Sequence, residues 1–236
     1  MNKFALVGKD ISHSKSPEMY RKLISSSVKY DLLDYKESSE IPAAHKLLAE
    51  YDGINITSPY KKHFLGEIEL TKNAKTIGAV NCLKKSGEKI IGENTDYFAI
   101  VDILKDLQKE NSALDIVILG DGVMSKVVET ALKSLSLDAQ LLSRKITKDF
   151  DKINLNSYFS PKNTNPLVIN TCTREYVFNG ELPKNSIFWD FNYNFPQHSQ
   201  RLFHKVQKYF DGLDMLERQA FYAVVFWSTS LEGLIS

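Results

Sequence analysis

Two short segments of the chain carry side chains suited to proton transfer. One reads NITSPYK at residues 55–61, and the other reads NTD at residues 94–96. They place the Lys61 ammonium and the Asp96 carboxylate beside small hydrogen-bonding side chains and close to turns. If the two groups meet, each keeps the other ionised, and the lysine can give or take a proton on an alcohol while hydride moves to or from a nicotinamide. This chemistry predicts a small polyol as the ligand, although either residue alone would also fit a purely structural role.

Further polar side chains are candidates for holding such a ligand: Ser14, Ser16, Thr57, Asn81, Tyr193 and Gln219. Asn81 lies inside an apolar stretch and Gln219 at the edge of an apolar helix face, so both amides need partners if they are buried. Ser14 and Ser16 offer two hydroxyls to a carboxylate, but Ser16 equally fits the N-cap of a helix. Thr57 equally fits a turn.

A turn in the second half of the chain has the position of a dinucleotide-binding turn. An apolar strand at residues 115–119 runs into GDGVMS at residues 120–125, and a helical pattern follows. Gly120, Gly122 and Ser125 would then line a pyrophosphate at the start of that helix. The third glycine of the usual pattern is missing, and the Asp121 carboxylate would have to point away from a phosphate. From the turn alone, a dinucleotide site and a plain strand–helix turn are equally good interpretations.

The end of the next strand favours the dinucleotide site. NAD sites usually have an acidic residue about 20 residues beyond the turn, whereas NADP sites have a cation there for the 2′-phosphate. Here Ser143 is followed by two cations, Arg144 and Lys145, and by no acid. Arginine can bind a phosphate through its planar fork and can stack on adenine. A solvated strand end is the structural alternative, but within a βαβ unit the pattern predicts NADP.

Alternating strand and helix patterns must position these residues, and they predict an α/β protein of two lobes with mostly parallel sheets. In the first half, strands are predicted at residues 4–7, 32–35, 53–56, 79–83 and 89–91, with helices at 16–26 and 41–51. In the second half, a helix opens at residues 94–96, strands follow at 115–119, 139–142, 167–170 and 187–191, and helices at 123–135 and 199–210. The last helix, at residues 213–230, could pack on either half, and periodicity does not decide between them.

The composition excludes several classes of protein. A formal net charge of +1 argues against a nucleic-acid surface. The chain has only two cysteines, without a CxxC motif, which fits a reduced cytoplasmic setting and argues against a disulfide framework or structural zinc. Its five histidines share no spacing, so none is assigned a metal or catalytic role. No apolar run reaches the ~20 residues of a membrane helix, and none near the start is long enough for a signal peptide.

Taken in order, seven sequence blocks resemble the shikimate dehydrogenase family. They are VGKDISHSKSP at residues 7–17, GINITSPYK at 53–61, GAVN at 78–81, GENTD at 92–96, SRK at 143–145, INTC at 169–172 and GLDMLERQA at 212–220. The blocks span nearly the whole chain. The resemblance implies NADP-dependent, reversible reduction of 3-dehydroshikimate to shikimate by a monomer or homodimer.

The same resemblance implies a role for each matching residue. Lys61 and Asp96 would be the catalytic pair. The substrate carboxylate would be held by Ser14, Ser16 and Tyr193, and the ring hydroxyls by Thr57, Asn81 and Gln219. Asn170 would lie on the cofactor side. A substrate-binding domain would comprise residues 1–95 and 213–236, because the last helix returns to the first lobe, and a Rossmann-like NADP domain would comprise residues 96–212.

Departures from the family pattern leave two alternatives open. Asp121, Val123 and Met124 replace three residues of the family's glycine-rich turn, and a Val123 side chain stands where backbone should approach a phosphate. One alternative is a relative that acts on quinate or uses NAD. The other is a binding protein for a shikimate-like ligand, catalytically weak because its cofactor site has degraded.

Overall fold

A computed structural model describes residues 3–111, 113–160 and 165–228, and they form two compact units. The first unit comprises the described residues up to Ala99 together with those from Leu216 onward, and the second comprises Ile100–Met215. Each unit contains one β-sheet. No helix within the described ranges is long and apolar enough to cross a membrane.

The sheet of the first unit is mixed. Its elements are β1 (Lys3–Gly8), α1 (Ser16–Leu23), β2 (Lys29–Asp34), α2 (Ala44–Glu50), β3 (Gly53–Ile56), β4 (Glu69–Leu70), α3 (Lys72–Ile77), β5 (Cys82–Ser86) and β6 (Lys89–Glu93). The strand order is β2-β1-β3-β5-β6-β4. Strands β1, β2 and β3 are parallel, whereas β5 is antiparallel to both β3 and β6. This topology brings the ends of β1, β3 and β6 and the start of β5 to one edge of the sheet.

Alternating side chains of β1 serve two cores on opposite faces of this sheet, as the pleat of a strand requires. Ala5 and Val7 pack with the buried residues of α2, whereas Phe4 and Leu6 pack with α1 and with the last helix. That helix, α7 (Leu213–Ser228), packs on this sheet from residue 216 onward. Its Trp227 stacks on Phe4 with ring centroids 4.5 Å apart, and its indole N–H donates to the Leu83 carbonyl at 3.0 Å.

The sheet of the second unit is entirely parallel. Helix α4 (Thr95–Glu110) leads into β7 (Leu114–Leu119), α5 (Val123–Ser134), β8 (Gln140–Leu142), β9 (Asn165–Asn170), β10 (Ile187–Asp190), α6 (Pro196–Leu202) and β11 (Lys208–Phe210). The strand order is β11-β10-β9-β7-β8, so the chain reverses direction across the sheet between β7 and β9. Open α/β sheets bind their ligands at such a switch point, outside the carboxyl ends of the strands.

Two of the local predictions are wrong. The helix predicted at residues 199–210 is a shorter helix, α6, followed by the edge strand β11, whose backbone pairs in parallel with β10. Pro196 fixes an earlier helix start, and the strand pairing overrides the helical periodicity of residues 203–210. The N-cap of α1 is Lys15 rather than Ser16, so the side chain of Ser16 does not cap the helix. Strand β4 and helix α3 were not predicted.

Candidate active site

Lys61 and Asp96 meet in the first unit as a nearly buried ion pair. The Lys61 Nζ and Asp96 Oδ2 atoms are 2.6 Å apart, and the two side chains are 11% and 7% exposed. Lys61 follows β3 after a turn that contains a cis Ser58–Pro59 bond, and its carbonyl accepts from the Val80 N–H at 2.8 Å. Asp96 lies in the first turn of α4, where the helix dipole stabilises a carboxylate. The predicted pair therefore forms, and each charge has a partner in a site with little water.

Asn81 and Gln219 meet beside this pair, although they are 138 residues apart in the chain. The Asn81 Nδ2 atom lies 3.4 Å from Gln219 Oε1. Asn81 Oδ1 accepts from the Thr95 N–H at 2.7 Å and lies 3.1 Å from the Thr95 hydroxyl, directly before Asp96. Gln219 is fixed in turn by donating from Nε2 to the Leu216 carbonyl at 3.0 Å. These bonds tie the start of α4, the start of β5 and helix α7 into one polar network.

A further set of buried hydrogen bonds links Tyr30, Asn55 and Asn81, and it was not predicted from the sequence. The Tyr30 hydroxyl donates to Asn55 Oδ1 at 2.8 Å, and Asn55 Nδ2 donates to the Asn81 carbonyl at 3.2 Å. Burial raises the pKa of Tyr30 well above its usual value, with a further contribution from Cys82. Asn55 is thus engaged on both sides within the protein, which gives it a positioning role. The position of Asn55 in the motif before Lys61 could have indicated a role in the site. Nothing in the sequence pointed to its partner Tyr30.

Ser14 and Thr57 lie on the loops that follow β1 and β3, and Ser16 is the first residue of α1, directly after the first of these loops. The Ser14 and Ser16 hydroxyl oxygens are 3.2 Å apart, and Ser14 Oγ also accepts from the Ser16 N–H at 3.2 Å. The Thr57 N–H donates to the Val7 carbonyl at 2.9 Å. Because β1 and β3 are adjacent and parallel, these loops leave the sheet at the edge that also carries Asn81 and Asp96. Six predicted residues of the first unit therefore lie along one sheet edge together with Thr95: Ser14, Ser16, Thr57, Lys61, Asn81 and Asp96.

The predicted cofactor turn lies in the second unit, at the switch point of its sheet. Gly120 has a φ of +109°, and a Cβ there would lie 2.7 Å from Thr171 Oγ1. A Cβ on Gly122 would meet no described atom within 4 Å, and no side chain caps the start of α5. The Ser125 hydroxyl donates to the Gly122 carbonyl at 2.7 Å and so stabilises the turn. The turn thus keeps an open backbone face beside a helix N-terminus.

Asp121 and Lys145 form an ion pair at this turn. Lys145 Nζ lies 2.6 Å from Asp121 Oδ2, and the two side chains are 79% and 36% exposed. The hydrogen bond from Lys145 holds the pKa of Asp121 below its usual value. Ser143 is buried, and its hydroxyl accepts from the Lys145 N–H at 3.3 Å, while Arg144 is exposed. The Asp121 carboxylate therefore points toward Lys145, which follows β8.

The two remaining predicted residues, Asn170 and Tyr193, also lie in the second unit, and each contacts other residues of that unit. Asn170 is fully buried, donates to Asp190 Oδ1 at 3.0 Å and accepts from the Cys172 N–H at 3.2 Å. Asp190 also contacts His198 Nδ1 at 2.7 Å, and no sequence pattern pointed to this pair. The Tyr193 carbonyl accepts from the Arg174 guanidinium. The cofactor role of Asn170 and the substrate role of Tyr193 stay predictions.

Comparison with known proteins finds similarity to shikimate dehydrogenases. Residues 6–83 match the family model described as the shikimate dehydrogenase substrate binding domain. A protein named shikimate dehydrogenase (NADP(+)) from Vesicomyosocius okutanii subsp. Calyptogena okutanii (strain HA) is 28% identical, and the match covers 97% of this chain and 94% of that protein.

Solved structures give a likeness in fold. The shikimate dehydrogenase of Aquifex aeolicus superposes with a TM-score of 0.79 at 22% identity, over 97% of this chain and 93% of that one. The shikimate 5-dehydrogenase of Thermus thermophilus, solved with NADP(H) and shikimate, gives a TM-score of 0.70 at 21% identity, over 97% of this chain and 94% of that one. With the two sheets described above, these likenesses confirm the predicted α/β fold class with a Rossmann-like domain.

Proposed function

We propose that this chain is a member of the shikimate dehydrogenase family and catalyses the NADP-dependent, reversible reduction of 3-dehydroshikimate to shikimate. The observation that carries the proposal is the 2.6 Å contact between Lys61 and Asp96, nearly buried and joined to a network of amide and hydroxyl groups. A charged pair of this kind is expensive to bury for structure alone. It is suited to moving a proton on an alcohol oxygen.

The polar groups along the sheet edge match the parts of a small hydroxylated acid. In our proposal, Ser14 and Ser16 hold the carboxylate, because their hydroxyls can donate to it. Thr57, Asn81 and Gln219 hold ring hydroxyls. The hydrogen bonds already made by Asn81 and Gln219 support this role, since they fix both amides before a ligand arrives and reduce the entropy lost on binding.

Lys61 is proposed as the proton donor in the direction of reduction. The cofactor, when bound, supplies hydride to the carbonyl carbon of the substrate. As negative charge develops on the carbonyl oxygen, the Lys61 ammonium transfers a proton to it, and the lysine is later reprotonated from water. The 2.6 Å contact with Asp96 holds the Lys61 Nζ atom in place. In the reverse direction the neutral amine of Lys61 accepts the proton from the alcohol.

The turn at residues 120–125 of the second unit fits the pyrophosphate of a dinucleotide. The open backbone at Gly122 and the uncapped N-terminus of α5 suit a pyrophosphate, and Gly120 supplies a backbone conformation that other residues rarely adopt. We propose that Gly120, Gly122 and Ser125 form this part of the site. Ser143, Arg144 and Lys145 would lie near the adenosine end, with Arg144 binding the 2′-phosphate. Asn170 would support the turn through the residues that follow β9. We also propose a reducing cytoplasmic setting, in which the two cysteines stay free.

One observation favours the alternative candidates, a dehydrogenase that uses NAD or a shikimate-binding protein with a weak cofactor site. Asp121 brings a carboxylate next to Lys145, one of the two cations expected to attract a 2′-phosphate. A carboxylate in this place opposes an incoming dianion.

The test is a turnover assay with a matched pair of lysine variants. Purified protein is mixed with NADPH and 3-dehydroshikimate, and the loss of reduced-cofactor absorbance is followed. We expect Lys61→Ala to lower kcat by roughly 10²–10⁴-fold with a small change in KM, because proton transfer is lost. Lys62→Ala removes the same charge from the neighbouring exposed position and should leave kcat unchanged.

Two results would contradict this proposal. Shikimate binding measured by calorimetry without any turnover would identify a binding protein. A Lys61→Ala effect confined to KM would show that Lys61 only binds the substrate. Repeating the assay with NADH and with quinate distinguishes the nearest enzymatic alternatives.

A further inference from the structure

The Asp121–Lys145 pair joins the two segments that contact opposite ends of an adenosine diphosphate in proteins of this fold. Asp121 lies in the turn after β7, and Lys145 follows β8. Because β7 and β8 are adjacent and parallel, both segments leave the sheet at the same edge. This shared edge allows the 2.6 Å contact between the two side chains.

We infer that Asp121 sets the preference of this protein between NADP and NAD. Its carboxylate holds the Lys145 ammonium and lies where it would repel the 2′-phosphate of NADP. The inference rests on the proposed function, because it assumes that the second unit binds a nicotinamide dinucleotide. Arg144 and Lys145 together would present two positive charges to the 2′-phosphate, but with Asp121 included the local sum falls to one. The protein then favours NADP over NAD far less than the two cations alone would predict.

Geometry explains why Lys145 cannot serve both anions without loss. An ammonium that contacts Asp121 and a phosphate at hydrogen-bond distance keeps their oxygen atoms within about 6 Å of each other. At that separation, repulsion between a carboxylate and a doubly charged phosphate in a water-like dielectric weakens binding by roughly fivefold to tenfold. If Lys145 instead leaves Asp121, the carboxylate loses its partner. The side chain of Asp121 is 36% exposed, so both costs are moderate and should be measurable.

A ribose that carries a free 2′-hydroxyl meets the opposite situation. A hydroxyl can donate to a carboxylate, which is how an acidic residue selects NAD in other dinucleotide sites. The Asp121 carboxylate is ionised at neutral pH, since the hydrogen bond from Lys145 holds its pKa below the usual value. It is therefore an acceptor for a hydroxyl and a repulsive neighbour for a phosphate.

Equilibrium binding tests this inference without turnover. Calorimetry measures the Kd of NADP⁺, NAD⁺ and the fragments 2′,5′-ADP and 5′-AMP for the natural protein, for Asp121→Asn and for Asp138→Asn. Asp138 is an exposed aspartate in the loop before β8, so its variant controls for the change in net charge. We expect Asp121→Asn to tighten NADP⁺ and 2′,5′-ADP by about fivefold or more and to change NAD⁺ and 5′-AMP by less than about twofold. Asp138→Asn should change none of the four Kd values by more than about twofold.

A second variant checks the role assigned to Lys145. In the natural protein, Lys145→Ala should weaken NADP⁺ by less than about twofold, because Asp121 already occupies the ammonium. In the Asp121→Asn background the same change should weaken NADP⁺ by about fivefold. Equal effects of Lys145→Ala in both backgrounds would overturn the inference, as would an Asp121→Asn variant that alters NADP⁺ and NAD⁺ equally or not at all. If neither the natural protein nor Asp121→Asn binds any dinucleotide, both the inference and the proposed function fail. Turnover in which Asp121→Asn leaves the preference between NADP and NAD unchanged overturns the inference alone.

Discussion

The buried Lys61–Asp96 pair predicts a large coupling free energy between its two members. We consider Lys61→Met, which removes the charge and retains most of the side-chain volume, and Asp96→Asn, which keeps the shape of the carboxylate. Each single variant leaves a charge in a site where the side chains are only 11% and 7% exposed. Breaking a buried pair in this way costs about 3 kcal/mol, whereas the double variant leaves no unpaired charge and should cost only about 1–2 kcal/mol.

The magnitude follows from the separation of the charges. At the 2.6 Å contact between Nζ and Oδ2, with the charge centres about 4 Å apart and an effective dielectric constant of about 20, the attraction is about 4 kcal/mol. We therefore expect a coupling free energy of about 4 kcal/mol in the double-mutant cycle. The pair Lys89–Glu69 is a matched control, because its contact is 2.7 Å but its side chains are 65% and 57% exposed. The cycle of Lys89→Met and Glu69→Gln should give less than about 1 kcal/mol.

Urea unfolding followed by tryptophan fluorescence can measure this cycle in the first unit alone. The described chain has one tryptophan in each unit, Trp189 and Trp227. A Trp189→Phe background leaves Trp227, stacked on Phe4, as the reporter. If the effects of Lys61→Met and Asp96→Asn add to within about 0.5 kcal/mol, the two groups are not coupled, and the reasoning that makes them a proton-transfer pair is refuted.

Two further predictions concern the stability of the first unit. Burial raises the pKa of Glu93, so the folded state keeps the Glu93 proton to a higher pH than the unfolded chain does. The stability of the natural protein should therefore fall as the pH rises from the pKa of Glu93 in the unfolded chain through its pKa in the folded state. Glu93→Gln keeps an acceptor for the Thr71 hydroxyl and should remove that fall, so parallel Tm profiles of the two proteins against pH would contradict the assignment. Gly53→Ala should cost about 1–3 kcal/mol, because its Cβ would lie 2.5 Å from the Trp227 ring, whereas Gly66→Ala, with no described atom within 4 Å of its Cβ, should change the unfolding free energy little.

The sequence predicted those parts of the protein in which local pattern and tertiary context agree. The helix that opens at residues 94–96 was predictable because a polar start precedes a long apolar face, and strand β3 because it is short, apolar and stopped before Pro59. The helix predicted at residues 199–210 failed because pairing with β10 is a non-local cause. A strand of three residues, such as β11, has no periodicity of its own to reveal it.

Among the site residues, types were predictable and partners were not. Asn81 and Gln219 were candidates because an amide in an apolar setting needs a hydrogen bond. Nothing in the sequence showed that they bond each other, since 138 residues separate them and α7 could have packed on either half. Tyr30 gave no signal, because a tyrosine in a strand is ordinary and its hydroxyl partner Asn55 lies on a different strand.

The substrate side keeps the family motifs and the cofactor turn departs from them, and differences in burial explain this. Asn81, Thr95 and Asp96 are buried and bonded to one another or to Lys61, so replacing any of them leaves a buried polar group without its partner. Asp121 and Lys145 are exposed and neutralise each other, so a carboxylate could enter the glycine turn at little cost in stability. Stability therefore constrains the proposed proton-transfer site together with function, whereas the proposed dinucleotide turn would be constrained by binding alone. The preference for one dinucleotide over the other is accordingly the property of this protein most open to change by single substitutions.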